Sequence, residues 1–325
     1  MSIIVIDNQR VHYEVFGRGR PVVFLHGWLG SWRYWYTSME VVSRHFRTYS
    51  FDFWGFGESR TQEMPTIQGY SNQVIRFLDA MGIERAALVG HSMGGMVAMK
   101  TAIEHPERVT RVVTVGAPIN GNSLSWMLKL VDRPFFAEFF ARRPWLRRSL
   151  FRFFFSDSLD PEVDEVLEDS TKSTANTIRG AIHSMWRTDL TPMLEKLRVP
   201  ALVVHGARDD IVNPNQLQLF THVPMAQVVR MENSRHFPFV DEADHFHEIL
   251  LEFLQQSDLI PTTPKPDPKP AATAVPPRTE PPAPPAPECS TPIDGSEAPP
   301  PPRPAPPPPR PAPPPPRSAV PPGRM

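Results

Sequence analysis

Short apolar runs, many of them rich in β-branched residues, recur along the chain and are separated by polar or amphipathic stretches. The first two runs flank the polar residues 7–9 and predict a β-hairpin, because apolar runs on both sides of a short polar turn are typical of that motif. The later runs lie too far apart for hairpins and therefore predict strands that are joined by helices. The predicted strands are residues 3–6, 11–16, 22–25, 48–53, 87–89, 112–115, 201–205 and 227–231.

Helical spacing is clearest between the fourth and fifth of these strands. Residues 67–81 carry Val74, Phe77 and Met81 on one side of a predicted helix, and Gly82 ends the pattern. Apolar strands that alternate with helices predict a mostly parallel sheet with helices on both faces. Together with the N-terminal hairpin, the pattern predicts an α/β fold with a mixed, mostly parallel sheet.

One long interval contains no strand-like run. Residues 121–198 have helical periodicity and are rich in Phe, Trp and Arg. Because this segment joins the predicted strands 112–115 and 201–205, it predicts a helical cap inserted over the carboxyl edge of the sheet, where open α/β sheets bind ligands. The predicted parts are an α/β core (1–120 and 199–256), the helical cap (121–198) and a disordered proline-rich tail (257–325).

Proline dominates the predicted tail, which contains most of the 41 prolines of the chain. The heptad PPPPRPA occupies residues 299–305 and 306–312, and it recurs with one change at 313–319. Such a sequence favours a solvated polyproline II conformation and a spacer function. Matches to Arg-x-x-Pro-x-x-Pro resemble one class of ligand for proline-binding domains, so a proline-binding partner is the alternative interpretation.

Composition excludes several classes of site. A formal net charge of −1 gives no basis for expecting nucleic acid as a partner. Cys289 is the only cysteine, so neither an intrachain disulfide nor a thiolate metal site is expected. The sequence lacks the pattern of a signal peptide and the long apolar run of a membrane span, which favours a cytoplasmic location.

The sequence Gly-His-Ser-Met-Gly occupies residues 90–94, directly after a predicted strand. It fits the pattern G-x-S-x-G, in which a serine sits on a sharp turn between a strand and a helix. A serine hydroxyl is a weak nucleophile unless a base accepts its proton and a third group orients that base. Ser92 is therefore a candidate nucleophile only if a histidine and a carboxylate lie beside it.

Both groups follow at strand ends. Asp209 lies in the loop after the seventh predicted strand, and His236 lies in the loop after the eighth. Because the carboxyl ends of parallel strands meet at one edge of a sheet, the order Ser92, Asp209, His236 predicts a catalytic triad. The adjacent Asp210 is the alternative to Asp209, and the carboxylate that is not used is expected to cap a helix or to pair with Arg208.

Acyl transfer also needs hydrogen-bond donors for the oxyanion that forms on the carbonyl oxygen. The turn after the third predicted strand offers the backbone N–H of Trp28, and Met93 offers a second N–H beside the nucleophile. Both donors are main-chain groups, so both side chains remain available to shape the pocket. His26, Gly27 and His91 are candidate residues of the same substrate pocket.

The motifs have the order and spacing typical of the α/β-hydrolase superfamily, which the chain resembles over residues 3–256. The resemblance implies the α/β-hydrolase fold with Ser92 as nucleophile, His236 as base and then acid, and Asp209 as the group that orients the histidine. No cluster of side chains in the sequence indicates a metal site, and no cofactor is expected. The motifs that carry the resemblance are His26-Gly27, the D-x-x-G-x-G-x-S loop at 52–59, the turn at Ser92, the G-x-x-D that ends at Asp209, and His236.

A serine at this turn implies an acyl-enzyme intermediate, whereas the capped relatives that open epoxides or remove halides resemble the chain but use an aspartate there. The expected reaction is hydrolysis of a carboxylic ester with an apolar acyl or aryl group. A C–C bond hydrolase, or an acyltransferase or perhydrolase, on the same triad is the alternative. A non-catalytic binding module is a further alternative, which the intact triad disfavours.

Six arginines and one glutamate occur among large aromatic residues between Arg133 and Phe155. This pattern predicts amphipathic cap helices whose aromatic side chains line an acyl pocket. The alternative is a surface that inserts into anionic lipid, because basic helices with aromatic residues bind such membranes. The expected partners are therefore a small-molecule ester and, in the alternative interpretation, a membrane surface.

Overall fold

The structure, a computed structural model, describes residues 2–61, 64–154 and 161–256. Its eight strands form one mixed sheet in the order β1-β2-β4-β3-β5-β6-β7-β8. β1 and β2 form the predicted hairpin, β2 is also antiparallel to β4, and all other neighbours are parallel. The strands are β1 (Ser2–Ile6), β2 (Gln9–Gly17), β3 (Pro21–Leu25), β4 (Arg47–Phe51), β5 (Ala86–His91), β6 (Val109–Val115), β7 (Ala201–Gly206) and β8 (Ala226–Met231).

Helices follow most of the strands. Short 3₁₀ helices cover Trp32–Trp35, Gly121–Ser123, Thr191–Lys196 and Pro214–Phe220. The α-helices are α1 (Tyr36–Ser43), α2 (Ile67–Ala80), α3 (Met93–Glu104), α4 (Trp126–Leu130), α5 (Pro134–Ala141), α6 (Pro144–Phe154), α7 (Pro161–Asp169), α8 (Ala175–Arg187), α9 (Pro238–Asp241) and α10 (Ala243–Gln255). Every strand predicted from the sequence is present, and the α/β-hydrolase fold is confirmed.

Burial explains why the sequence pattern predicts the central strands clearly. β5 and β7 are buried at every position, because helices cover both faces of the sheet there. β8 lies at the edge of the sheet, where most of its residues are partly or fully exposed. The apolar core therefore follows the middle of the sheet and positions the carboxyl ends of β3, β5, β6 and β7 beside one another.

The predicted strand 48–53 is too long at its carboxyl end. Asp52 turns the chain away from the sheet, and its side chain accepts hydrogen bonds from the amides of Trp32 at 2.8 Å and Glu58 at 2.9 Å. The next amide, that of Phe53, donates to the side chain of His26 at 2.9 Å and not to a neighbouring strand. The apolar residue at position 53 is buried in a loop, so the pattern alone could not distinguish it from a strand residue.

Between β6 and β7, the described residues form α-helices and 3₁₀ helices and contain no strand. This helical segment is anchored to the loop after β7: Ser125 N donates to Ile211 O at 2.8 Å, and Asn213 N donates to Ser123 O at 2.9 Å. The division into core, cap and tail stays a prediction, and the predicted tail at 257–325 lies outside the described residues. No helix in the described ranges is long and apolar enough to cross a membrane.

Close packing joins the start of α3 to the loop after β3. A Cβ atom on Gly94 would lie 2.3 Å from Leu25 O and 2.5 Å from His26 O, which are backbone atoms without freedom to move aside. Only glycine therefore allows the turn between β5 and α3 to approach the loop that follows β3.

We expect Gly94→Ala to lower the free energy of unfolding by more than about 3 kcal/mol, because the new methyl group overlaps backbone atoms. Gly82→Ala is the control: Gly82 follows the end of α2, no atom lies within 4 Å of its Cβ position, and only its φ of 65° is unfavourable. That control should lose about 1 kcal/mol. Urea unfolding followed by circular dichroism measures both values, and equal losses would contradict the packing argument.

Candidate active site

Ser92 lies on the turn between β5 and α3 and has a strained backbone, with φ 51° and ψ −117°. Positive φ is uncommon for a residue other than glycine and marks a constrained site. Two backbone hydrogen bonds hold the turn: Ser92 N donates to Val115 O at 2.8 Å, and Met96 N donates to Ser92 O at 3.0 Å. The side chain of Ser92 faces a cavity at the carboxyl edge of the sheet.

Asp209 and His236 lie together at the same edge. His236 Nδ1 donates to Asp209 Oδ2 at 2.8 Å, and the other carboxylate oxygen accepts from the amides of Ile211 at 2.9 Å and Val212 at 3.0 Å. The two amides fix the carboxylate, and the carboxylate fixes the imidazole. Because Nδ1 carries the proton that Asp209 accepts, Nε2 of the neutral imidazole is left as a proton acceptor.

A second imidazole contacts the same carboxylate. His205 Nε2 lies 3.1 Å from Asp209 Oδ2 and 3.1 Å from the carbonyl oxygen of Val212, so this nitrogen is the donor to both. Burial raises the pKa of the Asp209 carboxyl, but His236 and His205 outweigh that effect and hold the pKa well below its usual range. Asp209 is therefore ionised and has partners at both oxygens.

The sequence pattern gives His205 no part in this cluster, because a histidine at the end of a buried strand is typical of the core. The sequence feature that could have indicated the contact is the position of His205, four residues before Asp209 at the carboxyl end of β7.

Asp210 points elsewhere. Its carboxylate is exposed and accepts from Arg235 at 2.9 Å, whereas the expected partner Arg208 donates to Asn233. The structure thus pairs His236 with Asp209, and Asp210 pairs with Arg235 and not with Arg208, which was one of its two expected roles. Adjacent aspartates alternate between the buried and exposed sides of a tight loop, and the amide bonds to Asp209 decide which one turns inward.

Ser92 and His236 line the same cavity. No hydrogen bond joins the two side chains among the residues that the structure describes. Hydrogen bonds between a nucleophile and its base are often long in sites without substrate and shorten when substrate binds. The arrangement therefore brings the two side chains to one cavity, as a nucleophile and its base require.

The loop after β3 lies directly against the nucleophile. A Cβ atom on Gly27 would be 3.2 Å from Ser92 Cβ, so a larger residue at that position would require its neighbours to move by a few tenths of an ångström. Trp28 N makes no hydrogen bond within the described part of the chain. Met93 is the first residue of α3, where the amide has no acceptor in the helix. Both amides that sequence reasoning named are thus available as donors near Ser92.

The side chains of these two residues differ in position. Trp28 lines the cavity, stacks on Phe140 with ring centroids 6.0 Å apart, and donates from Nε1 to Ile178 O at 3.1 Å. Met93 is fully buried and is not among the residues that line the cavity. Trp28 therefore joins the loop after β3 to the helical segment between β6 and β7.

A buried hydrogen-bond chain passes behind the nucleophile. The amide of Gly27 donates to the hydroxyl of Tyr34, that hydroxyl lies 3.1 Å from His91 Nδ1, and His91 Nε2 lies 2.9 Å from the carbonyl oxygen of His236. Because a carbonyl can only accept, His91 carries its proton on Nε2 and accepts from Tyr34 at Nδ1. Burial lowers the pKa of His91 well below its usual value, so the ring is neutral.

His26 and His91 occupy different positions relative to the cavity. Of the three residues predicted for the substrate pocket, His91 lines the cavity, whereas His26 and Gly27 are not among the lining residues. His26 is completely buried and has both nitrogens occupied: Nε2 accepts from Phe53 N at 2.9 Å, and Nδ1 donates to Gly27 O at 2.8 Å. These bonds give His26 a structural contact with the loop that approaches Ser92.

The cavity above Ser92 has a volume of about 270 Å³ and is almost entirely apolar. No Asp, Glu, Lys or Arg occurs among the described residues that line it. No group of three potential metal-binding side chains occurs in the described ranges. The lining residues are Trp28, Tyr34, His91, Ser92, Leu124, Ser125, Met127, Leu128, Leu130, Val131, Phe136, Phe139, Phe140, Leu146, Met185, Ile211, His236 and Phe237.

Comparison with known proteins identifies similar chains. The family model described as alpha/beta hydrolase fold matches residues 20–243. A 2-hydroxy-6-oxononadienedioate/2-hydroxy-6-oxononatrienedioate hydrolase of Comamonas testosteroni is 30% identical over 272 residues, which cover 77% of this chain and 92% of the relative. A 2-hydroxy-6-oxo-6-phenylhexa-2,4-dienoate hydrolase of Burkholderia cepacia has the same identity and coverage.

Solved structures show the same fold. The enol-lactonase from Burkholderia xenovorans LB400 has a TM-score of 0.67 at 22% identity, over 78% of this chain and 99% of that structure. A putative aryl esterase from Burkholderia cenocepacia has a TM-score of 0.69 at 20% identity, over 78% and 97% of the two chains. The similarity thus covers most of the described residues.

Tyr34→Phe is expected to lower the free energy of unfolding by about 1–3 kcal/mol, because the Gly27 amide and His91 lose a buried partner. It should also lower kcat, since the hydroxyl joins the loop beside Ser92 to the residue that contacts the His236 carbonyl. Tyr70→Phe is the matched control, because the Tyr70 hydroxyl is also buried and donates to Trp54 O at 3.1 Å, away from the cavity. Unfolding in urea and ester turnover are measured for both, and an unchanged kcat in Tyr34→Phe would contradict a positioning function.

Proposed function

Because the chain belongs to the α/β-hydrolase-fold family, we propose that it is a serine hydrolase that cleaves carboxylic esters of neutral, apolar acyl or aryl groups. Ser92 Oγ attacks the ester carbonyl while His236 Nε2 accepts the hydroxyl proton, and Asp209 stabilises the imidazolium that forms. The amides of Trp28 and Met93 bind the oxyanion. His236 then gives its proton to the leaving alcohol, and an acyl-enzyme remains.

Water completes the reaction by the same steps. His236 removes a proton from water, the resulting hydroxide attacks the acyl carbon, and the proton returns to Ser92 as the carboxylic acid leaves. An acyltransferase or perhydrolase would use the same acyl-enzyme with a different acceptor, an alcohol or hydrogen peroxide. Water is the simplest acceptor, because the described lining residues offer no Asp, Glu, Lys or Arg that would bind another acceptor.

The observation that carries the proposal is the chemistry of the cavity lining. An ionised carboxylate that enters an apolar cavity loses its hydration and needs a cation or several hydrogen-bond donors in exchange. The described lining residues include no lysine and no arginine. The neutral polar side chains of the lining are mainly Ser92, His236 and their neighbours in the candidate active site. This favours a substrate whose only polar part is the reacting ester.

A C–C bond hydrolase is the second candidate, because two relatives that are 30% identical have names that describe such reactions. Those names specify dienoate or dienedioate substrates, which carry one or two carboxylates. The same triad could cleave such a compound, but the cavity would have to bind an anion. The uncharged lining supports the ester over this alternative.

The first test is hydrolysis of p-nitrophenyl esters of graded acyl length by the purified chain. We expect turnover that is lost in Ser92→Ala, together with labelling of Ser92 by a fluorophosphonate. The optimum acyl length reports how much of the cavity the acyl group fills. A folded chain that neither turns over any ester nor reacts with the fluorophosphonate would refute the proposed function.

Substrate charge separates the two candidates. We expect kcat/KM for a neutral p-nitrophenyl ester to exceed that for the mono-p-nitrophenyl ester of a dicarboxylic acid of equal length by about a hundred-fold or more, because the free carboxylate finds no cation. A 2-hydroxy-6-oxo-dienoate is assayed beside both. Preference for the dienoate or for the charged ester would favour the C–C hydrolase instead.

The two adjacent aspartates provide a matched pair. Asp209→Asn should lower kcat by about a thousand-fold or more, because it removes the charge that holds the His236 tautomer. Asp210→Asn should leave kcat within about two-fold, since its carboxylate is exposed and forms only a surface ion pair. Steady-state kinetics with a p-nitrophenyl ester measure both. Similar losses in the two variants would mean that the carboxylate beside His236 is not the functional one.

A further inference from the structure

Large apolar side chains are concentrated on the surface of α4, α5 and the start of α6. Seven of the twelve exposed large apolar side chains in the described ranges lie there, although this region is a small part of the chain. Three aromatic residues are among the most exposed: Phe135 at 73%, Trp126 at 70% and Trp145 at 64%. We call these seven residues the aromatic face: Trp126, Met127, Leu130, Phe135, Phe136, Phe139 and Trp145.

The aromatic face surrounds the mouth of the cavity above Ser92. Four of its residues, among them Phe136 and Phe139, are exposed and also line the cavity, so they lie where the cavity meets the surface. Phe135 continues the face outward, because its ring centroid lies 5.6 Å from that of Phe136 and 6.4 Å from that of Phe139. The exposed surface and the candidate site are therefore continuous.

The face is also basic. Residues 126–148 contain one lysine and five arginines but only two acidic residues. Arg147 is buried and binds backbone carbonyls, Arg142 pairs with Glu138 at 2.6 Å, and Arg148 pairs with Glu168 at 2.7 Å. The remaining cations are Lys129, the exposed Arg133 and Arg143. The guanidinium of Arg143 lies 3.8 Å from the ring centroid of Phe139, a cation–π contact that keeps a positive charge on the aromatic face itself.

We propose that the aromatic face binds an anionic phospholipid bilayer. Exposed Trp and Phe side chains enter the boundary between headgroups and acyl chains, and neighbouring Arg and Lys attract anionic headgroups. The two properties occur together on this surface, and a bilayer with negative headgroups satisfies both at once.

Charge disfavours two other occupants. A second copy of the chain docked through the same face would place the cations of one face against those of the other, and like charges in contact are unfavourable. The PPPPRPA repeats at 299–319 contain arginine and no acidic residue, so they too would meet a surface of their own sign. An anionic bilayer is the occupant that complements the charge.

Membrane binding would also serve the reaction, a step that rests on the proposed function. A bilayer on the aromatic face would place the cavity mouth at the depth of the acyl chains, so an ester that is insoluble in water could enter without crossing the solvent. Membrane binding itself needs no catalysis and can be measured separately.

Binding is tested by sedimentation of the full chain, carrying Ser92→Ala, with two kinds of vesicle. One contains phosphatidylcholine alone, and the other contains equal parts of phosphatidylcholine and phosphatidylglycerol. We expect binding to the anionic vesicles that weakens with added salt, with a blue shift of tryptophan fluorescence. The partition coefficient for neutral vesicles should be lower by about ten-fold or more, because each basic residue near an anionic surface adds to the attraction.

Variants identify the surface responsible. Phe135→Ser combined with Trp145→Ser should weaken binding to anionic vesicles by about ten-fold or more, because two large side chains no longer enter the bilayer. Val5→Ser combined with Val228→Ser is the matched control, since these residues are also exposed but lie on edge strands. It should leave the partition coefficient within about two-fold.

Hydrolysis separates this inference from the proposed function. In the chain with Ser92 intact, the Phe135→Ser/Trp145→Ser variant should keep its kcat on a soluble short-chain ester, because neither residue lines the cavity. Membrane binding is refuted if the full chain does not sediment with anionic vesicles, or if the two double variants bind equally. It is also refuted if analytical ultracentrifugation shows a dimer that only the Phe135→Ser/Trp145→Ser variant abolishes.

Discussion

The left-handed backbone of Ser92 is the constraint on which the rest of the site depends. Such a conformation costs a non-glycine residue about 1–3 kcal/mol, so the surrounding structure must impose it. The bond from Ser92 N to Val115 O holds one side of the turn to the neighbouring strand. On the other side, Gly94 allows the start of α3 to reach the backbone after β3. The same packing leaves the first amide of α3 beside Ser92, so one local conformation positions both the proposed nucleophile and a proposed oxyanion donor.

The second constraint is the burial of a single carboxylate. Asp209 is charged and buried, and a buried charge is tolerated only when its oxygens are fully hydrogen-bonded. Two amides and two imidazoles satisfy this requirement, and they also fix the direction in which the carboxylate meets His236. His91 is kept neutral by burial, so it adds no competing charge beside His236. The negative charge of Asp209 thus lies behind His236 and outside the cavity lining, so the cavity itself can remain uncharged.

The positions of Ser92, Asp209 and His236 could be predicted because parallel strands bring their carboxyl ends to one edge whatever their separation in sequence. The choice of Asp209 over Asp210 could be made only by spacing, since neighbouring aspartates carry the same local signal. The contacts of His205 and Tyr34 could not be predicted. His91 meets Tyr34 across 57 residues and the His236 carbonyl across 145, and such pairings depend on how loops pack after the sheet has formed. Strand ends are set by the local pattern, whereas tautomers and hydrogen-bond chains are set by tertiary contacts.

Trp28 shows how the helical segment between β6 and β7 can influence the chemistry at the sheet. Its backbone amide belongs to the loop that approaches Ser92, while its indole stacks on Phe140 of α5 and donates to Ile178 O of α8. A side chain held at two points restricts the backbone to which it is attached. A shift of α5 or α8 would therefore move the Trp28 amide, the proposed oxyanion donor, as well as the wall of the cavity. Because oxyanion stabilisation depends on donor geometry within a few tenths of an ångström, the proposed reaction would link the fit of the acyl group between these helices to the stabilisation of its transition state.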